Sequence, residues 1–298
     1  MRPPNNQNEA SPIEKHFLSL TSIDPFPRIN LESGLSEMTT RAIDLLSPIG
    51  KGQRGLIVSP PKSGKTTILK HICQAMTKAE PTMKVYCLLV DERPEEVTDF
   101  RRNVTAEVHW SSSDQPYENH IRVAKELMAK AIGEADQGKD VMVFVDSLTR
   151  LARVHNSATR GTGRTLSGGV DALGLQIPRR IFGCARKIEN GGSLGIIASI
   201  LVQTGSRMDD VIFQEFKGTG NMELVLSREI AERRIFPAIN IKESGTRKEE
   251  LLFPAEDLKK IYLLRQALAG MGDVEAAQTL TDLFRKYPTN QQLLASLV

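Results

Sequence analysis

The stretch SPPKSGKT, residues 59–66, places a Gly-Lys-Thr after an apolar run (55–58) and ahead of a helical period (65–78). This is the setting of a phosphate-binding loop of the form G-x-x-x-x-G-K-[ST]. Backbone N–H groups at a helix N-terminus cradle phosphates, a lysine reaches the β- and γ-phosphates, and a hydroxyl ligates Mg2+. Lys65 and Thr66 would take the last two roles. Seven of the eight template positions are compatible, with Ser59 standing where the first glycine belongs. The loop tolerates that change provided the position does not need a positive φ. A second apolar run, VMVFV (141–145), ends in Asp146, which is how a strand presents the carboxylate that holds the Mg2+ of a bound nucleotide. A third, residues 85–90, runs into DERPEE (91–96). Glu95 and Glu96 after Pro94 are what a helix start favours. Glu92 and Arg93 precede the proline at a strand end facing the expected phosphates, where a carboxylate can orient an attacking water, so Glu92 is the candidate base.

Phosphoryl transfer also needs positive charge on the γ-phosphate beyond a lysine and a metal, often an arginine supplied in cis or in trans. Arg228, Arg233, Arg234 and Arg247 lie around a predicted strand and following loop over 230–248, and Phe236 could offer an aromatic face to a base. Spacing does not choose among the four arginines. A finger acting in trans would require an oligomer with nucleotide sites at its subunit interfaces.

These residues must be positioned by an alternation of strands and helices. Apolar runs at 55–58, 85–90, 141–145, 194–202 and 222–226 read as buried strands, and helical periods at 65–78 and 118–135 separate several of them. Strands alternating with helices imply an α/β domain with a mostly parallel central sheet covered on both faces. Apolar positions at helical spacing over 255–287, broken at Gly270-Met-Gly272, predict a C-terminal helical hairpin. The first 18 residues, rich in Asn and Pro, predict a mobile N-terminal tail, which leaves 19–298 as one domain.

With 298 residues, 40% hydrophobic and 25% charged, the composition is that of a globular protein rather than a disordered or membrane-embedded one. No apolar run approaches a membrane span and the N-terminus lacks a signal-peptide core, so a cytoplasmic protein is expected. Three scattered cysteines, Cys73, Cys87 and Cys184, suit a reducing compartment and buried positions. The net charge of +3 hides a division: residues 150–187 hold eight basic side chains against Asp171, a balance of +7, leaving the remainder at −4. A basic, Gly-rich segment has the electrostatic footprint of a polyanion site, or of a solvated basic face.

Taken together, SPIGKGQRGLIVSPPKSGKTT (47–67), LLVDERPEEVTDF (88–100), VDSLTRLAR (145–153), LSGGVDA (166–172), EFKGTGNMEL (215–224), AERRIFPAI (231–239) and SGTRKEELL (244–252) resemble the transcription termination factor Rho family of hexameric, RNA-translocating ATPases. The resemblance covers roughly residues 20–298, and it implies a RecA-type P-loop ATPase domain. It also implies that Lys62, Ser63, Gly64, Lys65, Thr66 and Thr67 bind the triphosphate of ATP. The segment Gly50, Lys51, Gly52, Gln53, Arg54 and Gly55 would line the nucleotide site, with Arg93 beside the phosphates and Phe236 packed on adenine. Glu92 would be the catalytic glutamate, Thr66 and Asp146 the Mg2+ residues, and Arg247 the finger given to the next subunit. Gly161, Arg164, Ser167, Gly168 and Gly169 would form one central-channel loop facing single-stranded RNA, and Thr204, Gly205, Ser206 and Arg207 a second.

Members of the family carry an OB-fold RNA-binding domain ahead of this region. The residues before 20 are too few for its five-stranded barrel, and 5% aromatics with a single Trp110 provide no base-stacking cluster. The sequence therefore reads as the motor region. Three functions follow: a homohexameric, RNA-stimulated ATPase and translocase in transcription termination; a P-loop ATPase that pushes on protein, as rotary and secretion ATPases do; or a short relative that modulates full-length Rho. The basic segment favours the first over the second. The intact set Lys65, Thr66, Glu92, Asp146 and Arg247 weighs against the third.

Overall fold

Side chains along the central strands alternate between two buried faces, and each face collects its own set of helices. The protein is described by a computed structural model covering residues 10–159 and 167–297. The main strands are β1 (Arg54–Ser59), β2 (Lys84–Glu92), β3 (Glu107–Ser112), β4 (Asp140–Asp146), β5 (Ser193–Leu201), β6 (Met222–Val225) and β7 (Gly245–Thr246). They lie in the order β7-β6-β1-β5-β4-β2-β3. Every neighbouring pair from β6 to β3 is parallel, and only β7 at the edge runs antiparallel. Arg186–Ile188 and Ser22–Ile23 extend the sheet antiparallel from β5.

The longer helices are α1 (Pro12–Ser19), α2 (Met38–Leu46), α3 (Lys65–Ala79), α4 (Pro94–Asn103), α5 (Tyr117–Asp136), α6 (Leu148–Ala158), α7 (Gln176–Gly183), α8 (Arg207–Phe216), α9 (Ala255–Ala269) and α10 (Asp273–Lys286). On one face Val85, Cys87 and Leu89 of β2 and Met142 and Phe144 of β4 meet α3, α9 and α10. On the other, Tyr86, Leu88, Val90, Val141, Val143 and Val145 meet α5, α6, α7 and α8. Near-continuous apolar strands are what a sheet covered on both sides requires. All three cysteines are free and buried. Among the described residues no helix is long and apolar enough to cross a membrane.

Two expectations need correction. Residues 12–19 are not tail but α1, because Ser11 Oγ caps Glu14 N–H at 3.1 Å, Pro12 opens the helix, and Phe17 is wholly buried. Residues 1–9 lie outside the described residues. The strand expected within 230–248 is instead a short helix, Arg228–Glu232, capped by Ser227, and then turns. Asn240 Oδ1 accepts N–H groups of Lys242 and Glu243 in one of those turns, and only Gly245–Thr246 pairs as strand.

The C-terminal hairpin is tied to α2 by Arg41, which is 4% exposed. Its guanidinium donates to the carbonyls of Phe284 (3.0 Å) and Tyr287 (2.6 Å) and to Asn290 Oδ1 (3.3 Å), and it stacks on Phe284. Glu32 Oε1, 3.3 Å away, balances the charge. Replacing Arg41 by Met strands these acceptors and the Glu32 carboxylate. The expected cost is about 2–4 kcal/mol, read as a lower thermal unfolding midpoint; an unchanged midpoint would show the clamp to be idle.

Candidate functional site

Parallel neighbours finish on the same side of a sheet, so β1, β2 and β4 deliver Ser59, Glu92 and Asp146 to one edge. Ser59 ends β1 without a positive φ, whereas Lys62 (φ 65°) and Gly64 (φ 93°) take the left-handed turn. The serine is therefore compatible with the loop, and Gly64 is the position that needs glycine. Ser59 and Ser63 share a hydroxyl hydrogen bond at 2.9 Å, and Ser63 Oγ donates to Pro60 O at 2.8 Å. These bonds hold the loop against the start of α3, whose first residues are Lys65, Thr66 and Thr67. A Cβ on Gly64 would lie 3.9 Å from the Phe236 ring, so this half-exposed aromatic stands beside the loop.

At the centre the Lys65 ammonium bridges two buried carboxylates, 3.2 Å from Glu92 Oε1 and in closer contact with Asp146 Oδ1. Burial alone would depress the lysine, but Asp146 and Glu92 outweigh it and hold its pKa above the ordinary value. Ser199 Oγ on β5 donates to Asp146 at 2.7 Å. Arg150 on α6 lies 3.3 Å from Glu92 Oε2 and also donates to the Asp91 carbonyl. Burial first, then the Asp146 charge, push Glu92 up to about 7 against the pull of Lys65 and Arg150. Two carboxylates and two cations thus balance at one sheet edge. The carboxylate of Asp146 and the hydroxyl of Thr66 are the hard oxygen donors that suit Mg2+, which takes one or two carboxylates and keeps much of its water. Sequence reasoning missed Arg150 and Ser199. The signal for Arg150 was its place four residues past Asp146, on the helix that follows.

Other expected residues divide. Arg93 is exposed at the start of α4, 3.5 Å from Glu96. The segment 50–55 does not join this chain's phosphate loop. Arg54 opens β1 and Ser59 closes it, five residues and about 16 Å apart, while Lys51 is paired with Asp140 and Glu80 at the far end of the sheet. Arg247 is also at that far end, its N–H bonded to Asn221 O at 2.8 Å. Arg228 and Arg233 are paired with Glu232 and Glu229 of their own short helix.

Of the two expected RNA loops, Gly161 and Arg164 lie outside the described residues. Gly168 (φ 72°) packs so closely on Arg207 that a Cβ would lie 2.8 Å from its carbonyl oxygen, which brings the two loops together. Thr204 Oγ1 donates to Asp209 (2.7 Å), and Arg153 holds Asp209 with two hydrogen bonds of 2.7 and 2.6 Å. Among the described residues the basic side chains of 150–187 do not form one unpaired patch, and Arg160 and Arg164 lie outside those residues. Arg150, Arg153, Arg179, Arg180 and Lys187 meet Glu92, Asp209, Glu215, Glu14 and Asp140, because partners distant in sequence neutralise them.

This edge has the parts for in-line attack of water on a phosphoryl group. Glu92→Gln should lower nucleoside triphosphate turnover by about 10^2- to 10^4-fold while nucleotide binding persists. A base held near 7 works only once deprotonated, so kcat/KM should rise with pH through about 7. Arg150→Gln removes a cation that favours the charged form and should move that rise to higher pH. A profile flat across this range in the parent protein would remove Glu92 from the base role.

Residues 39–246 match the ATP synthase alpha/beta family, nucleotide-binding domain. The transcription termination factor Rho of Haemophilus influenzae is 51% identical over 287 residues, covering 95% of this chain and 68% of that protein. Rho of Aquifex aeolicus is 51% identical over 283 residues, covering 94% and 65%, and Rho of Pseudomonas aeruginosa 48% over 299, covering 99% and 70%. The chain thus spans about two thirds of the length of these relatives. Among solved structures, an ATPase of a type III secretion system of pathogenic bacteria superposes with a TM-score of 0.72 at 24% identity, covering 99% of this chain and 87% of that one. The assembled ATPase of the enteropathogenic E. coli type III secretion system gives 0.74 at 23%, covering 94% and 72%. These two show the fold alone, an α/β domain built on a mostly parallel central sheet, in keeping with the nucleotide-binding-domain match over residues 39–246. With half its residues identical to proteins of one name, and the phosphate loop, Glu92 and Asp146 assembled at one sheet edge, this chain belongs to the transcription termination factor Rho family.

Proposed function

We propose that the chain hydrolyses ATP at sites completed by an adjacent copy in a homohexameric ring, and that hydrolysis drives movement along single-stranded RNA in transcription termination. The observation that carries the reading is the polarity of β1: the phosphate loop leaves one end, and Arg247 lies beside the other. An arginine about 16 Å away along a rigid strand cannot serve its own loop, but it can serve a neighbour's in a head-to-tail ring. Exposed Ile23, Phe26 and Leu251 lie within three residues in sequence of the Lys248–Asp24 ion pair, next to Arg247 in the chain, and would supply apolar surface for such a contact.

In the reaction Lys65 and the loop N–H groups hold the triphosphate, Phe236 the adenine, and Glu92 orients the attacking water and accepts its proton. Asp146 and Thr66 would hold Mg2+, which would supply charge neutralisation at the phosphates. The loops at 167–169 and 204–207 face RNA in this reading. Asp209 and Arg153 join the second loop to α6, whose N-terminus follows Asp146 directly. In this reading the setting is the cytoplasm and a partner is the transcription machinery. The pairing of Arg150, Arg153, Arg179, Arg180 and Lys187 with carboxylates favours a second reading, an ATPase that pushes on protein.

Two experiments separate these readings. Steady-state ATP hydrolysis, with Lys65→Ala as the blank, should rise on adding single-stranded RNA. Arg207→Ala should weaken RNA binding and flatten its salt dependence by about 0.7 in log–log slope for each phosphate it no longer neutralises. Hydrolysis indifferent to RNA would favour the protein-driven motor, and none in an intact oligomer would favour a modulator of full-length Rho. Separately, Arg247→Ala and Lys65→Ala chains, each inactive alone, should on co-assembly recover up to about a quarter of parental turnover, since about one random interface in four is complete. Mixed oligomers without recovery would refute the shared site.

A further inference from the structure

The parallel pair β4 and β5 is closed at each end by a serine on β5 bonded to an aspartate on β4. The ladder between them runs from Asp140 opposite Ser193 to Val145 opposite Ala198. At its start Ser193 Oγ donates to Asp140 Oδ1 at 2.7 Å. One position past its last pair, Ser199 Oγ donates to Asp146 Oδ1, also at 2.7 Å. Both serines are wholly buried, where a hydroxyl needs a partner. Leu201 N–H, further along β5, donates to Thr149 Oγ1 at 2.9 Å in the first turn of α6. Where the backbone ladder stops, two hydroxyls therefore fix β5 against the turn that carries Asp146.

The two ends differ in what else reaches the carboxylate. Asp140 has both oxygens occupied, with Lys51 2.9 Å from Oδ2 and Lys187 3.7 Å from Oδ1. Asp146 receives Lys65 and Ser199 on the same oxygen, Oδ1, so among the described residues Oδ2 has no partner. Yet Oδ2 is not one of the side-chain atoms sealed in the core without a partner. The two donors on Oδ1 also differ in kind. Lys65 cancels the charge of Asp146, whereas a neutral hydroxyl orients a carboxylate and leaves its charge intact. Outer donors of that sort fix the carboxylates that ligate metals.

We propose that Ser199 is a positioning residue for metal binding: it holds Asp146 by Oδ1 and keeps Oδ2 available to Mg2+ once Lys65 leaves for the triphosphate. This rests on the reading of Asp146 as a Mg2+ residue. Ser193 makes the same bond at the other end of the ladder for stability alone, because its aspartate has no open oxygen.

The test reads binding rather than turnover: calorimetric titration of the full chain with a non-hydrolysable ATP analogue, in EDTA and over a series of MgCl2 concentrations. Ser199→Ala should raise the Mg2+ concentration that gives half of the metal's effect on affinity by about tenfold to a hundredfold. Its affinity in EDTA should match the parent's, and Ser199→Thr, which keeps the hydroxyl, should recover most of the parental Mg2+ requirement. Ser193→Ala should leave that requirement where it is, and Asp146→Asn should abolish the metal's effect. If Asp146→Asn abolishes it while Ser199→Ala shifts nothing, Asp146 keeps its role and this inference fails. A metal effect that survives Asp146→Asn overturns the reading of Asp146 and the inference with it. Affinity lost by Ser199→Ala in EDTA, or an equal shift in Ser193→Ala, leaves Ser199 a structural part only and overturns the inference.

Discussion

Two carboxylates buried within reach of one ammonium are the constraint on which this structure depends. Glu92 and Asp146 are each 2% exposed, and leaving both charged there would cost several kcal/mol without compensation. Lys65 and Arg150 supply it, and each needs its own support: Lys65 a helix start fixed by the turn at Gly64, Arg150 a helix launched directly after β4. The P-loop helix, the β2 end and the β4 end must therefore meet within ion-pair distance. The two-layer packing around a parallel sheet is the frame that holds them there.

Sheet polarity then decides what the edge can and cannot contain. Every strand from β6 to β3 points the same way, so whatever leaves the C-terminal ends shares a site, and whatever precedes the N-terminal ends is excluded from it. Gly50–Gly55, Arg54 and Arg247 belong to the excluded group. The guanidiniums of Arg54 and Arg247, unpaired among the described residues, suit an anion, and in the proposed ring the two ends of one strand would be two sides of a contact between copies.

Much of this was legible in sequence because the buried strands are apolar runs and the reacting groups sit immediately after them. SPPKSGKT, VMVFVD and LLVDERPEE each carry an element and its functional residue in one stretch. What was not legible depended on partners distant in the chain. The cations of 150–187 looked like one patch until Glu14, Asp209 and Glu215 folded onto them. β3, a half-polar edge strand reading EVHWSS, lacks the apolar run that reveals its neighbours. The helix at Arg228–Glu232 is set by a serine cap too short-ranged for a periodicity argument. By contrast α1 carried its own signature, Ser11-Pro12 with Glu14 following, inside a segment whose composition pointed the other way.

The central claim is that the site is finished by another copy, and dilution tests it most directly. Turnover per chain should be followed as protein concentration falls, with sedimentation on the same samples. The account predicts that specific activity declines in step with loss of the assembled species and vanishes with it. Activity per chain that stays constant while the protein becomes monomeric would mean that each chain completes its own site, and would contradict the account.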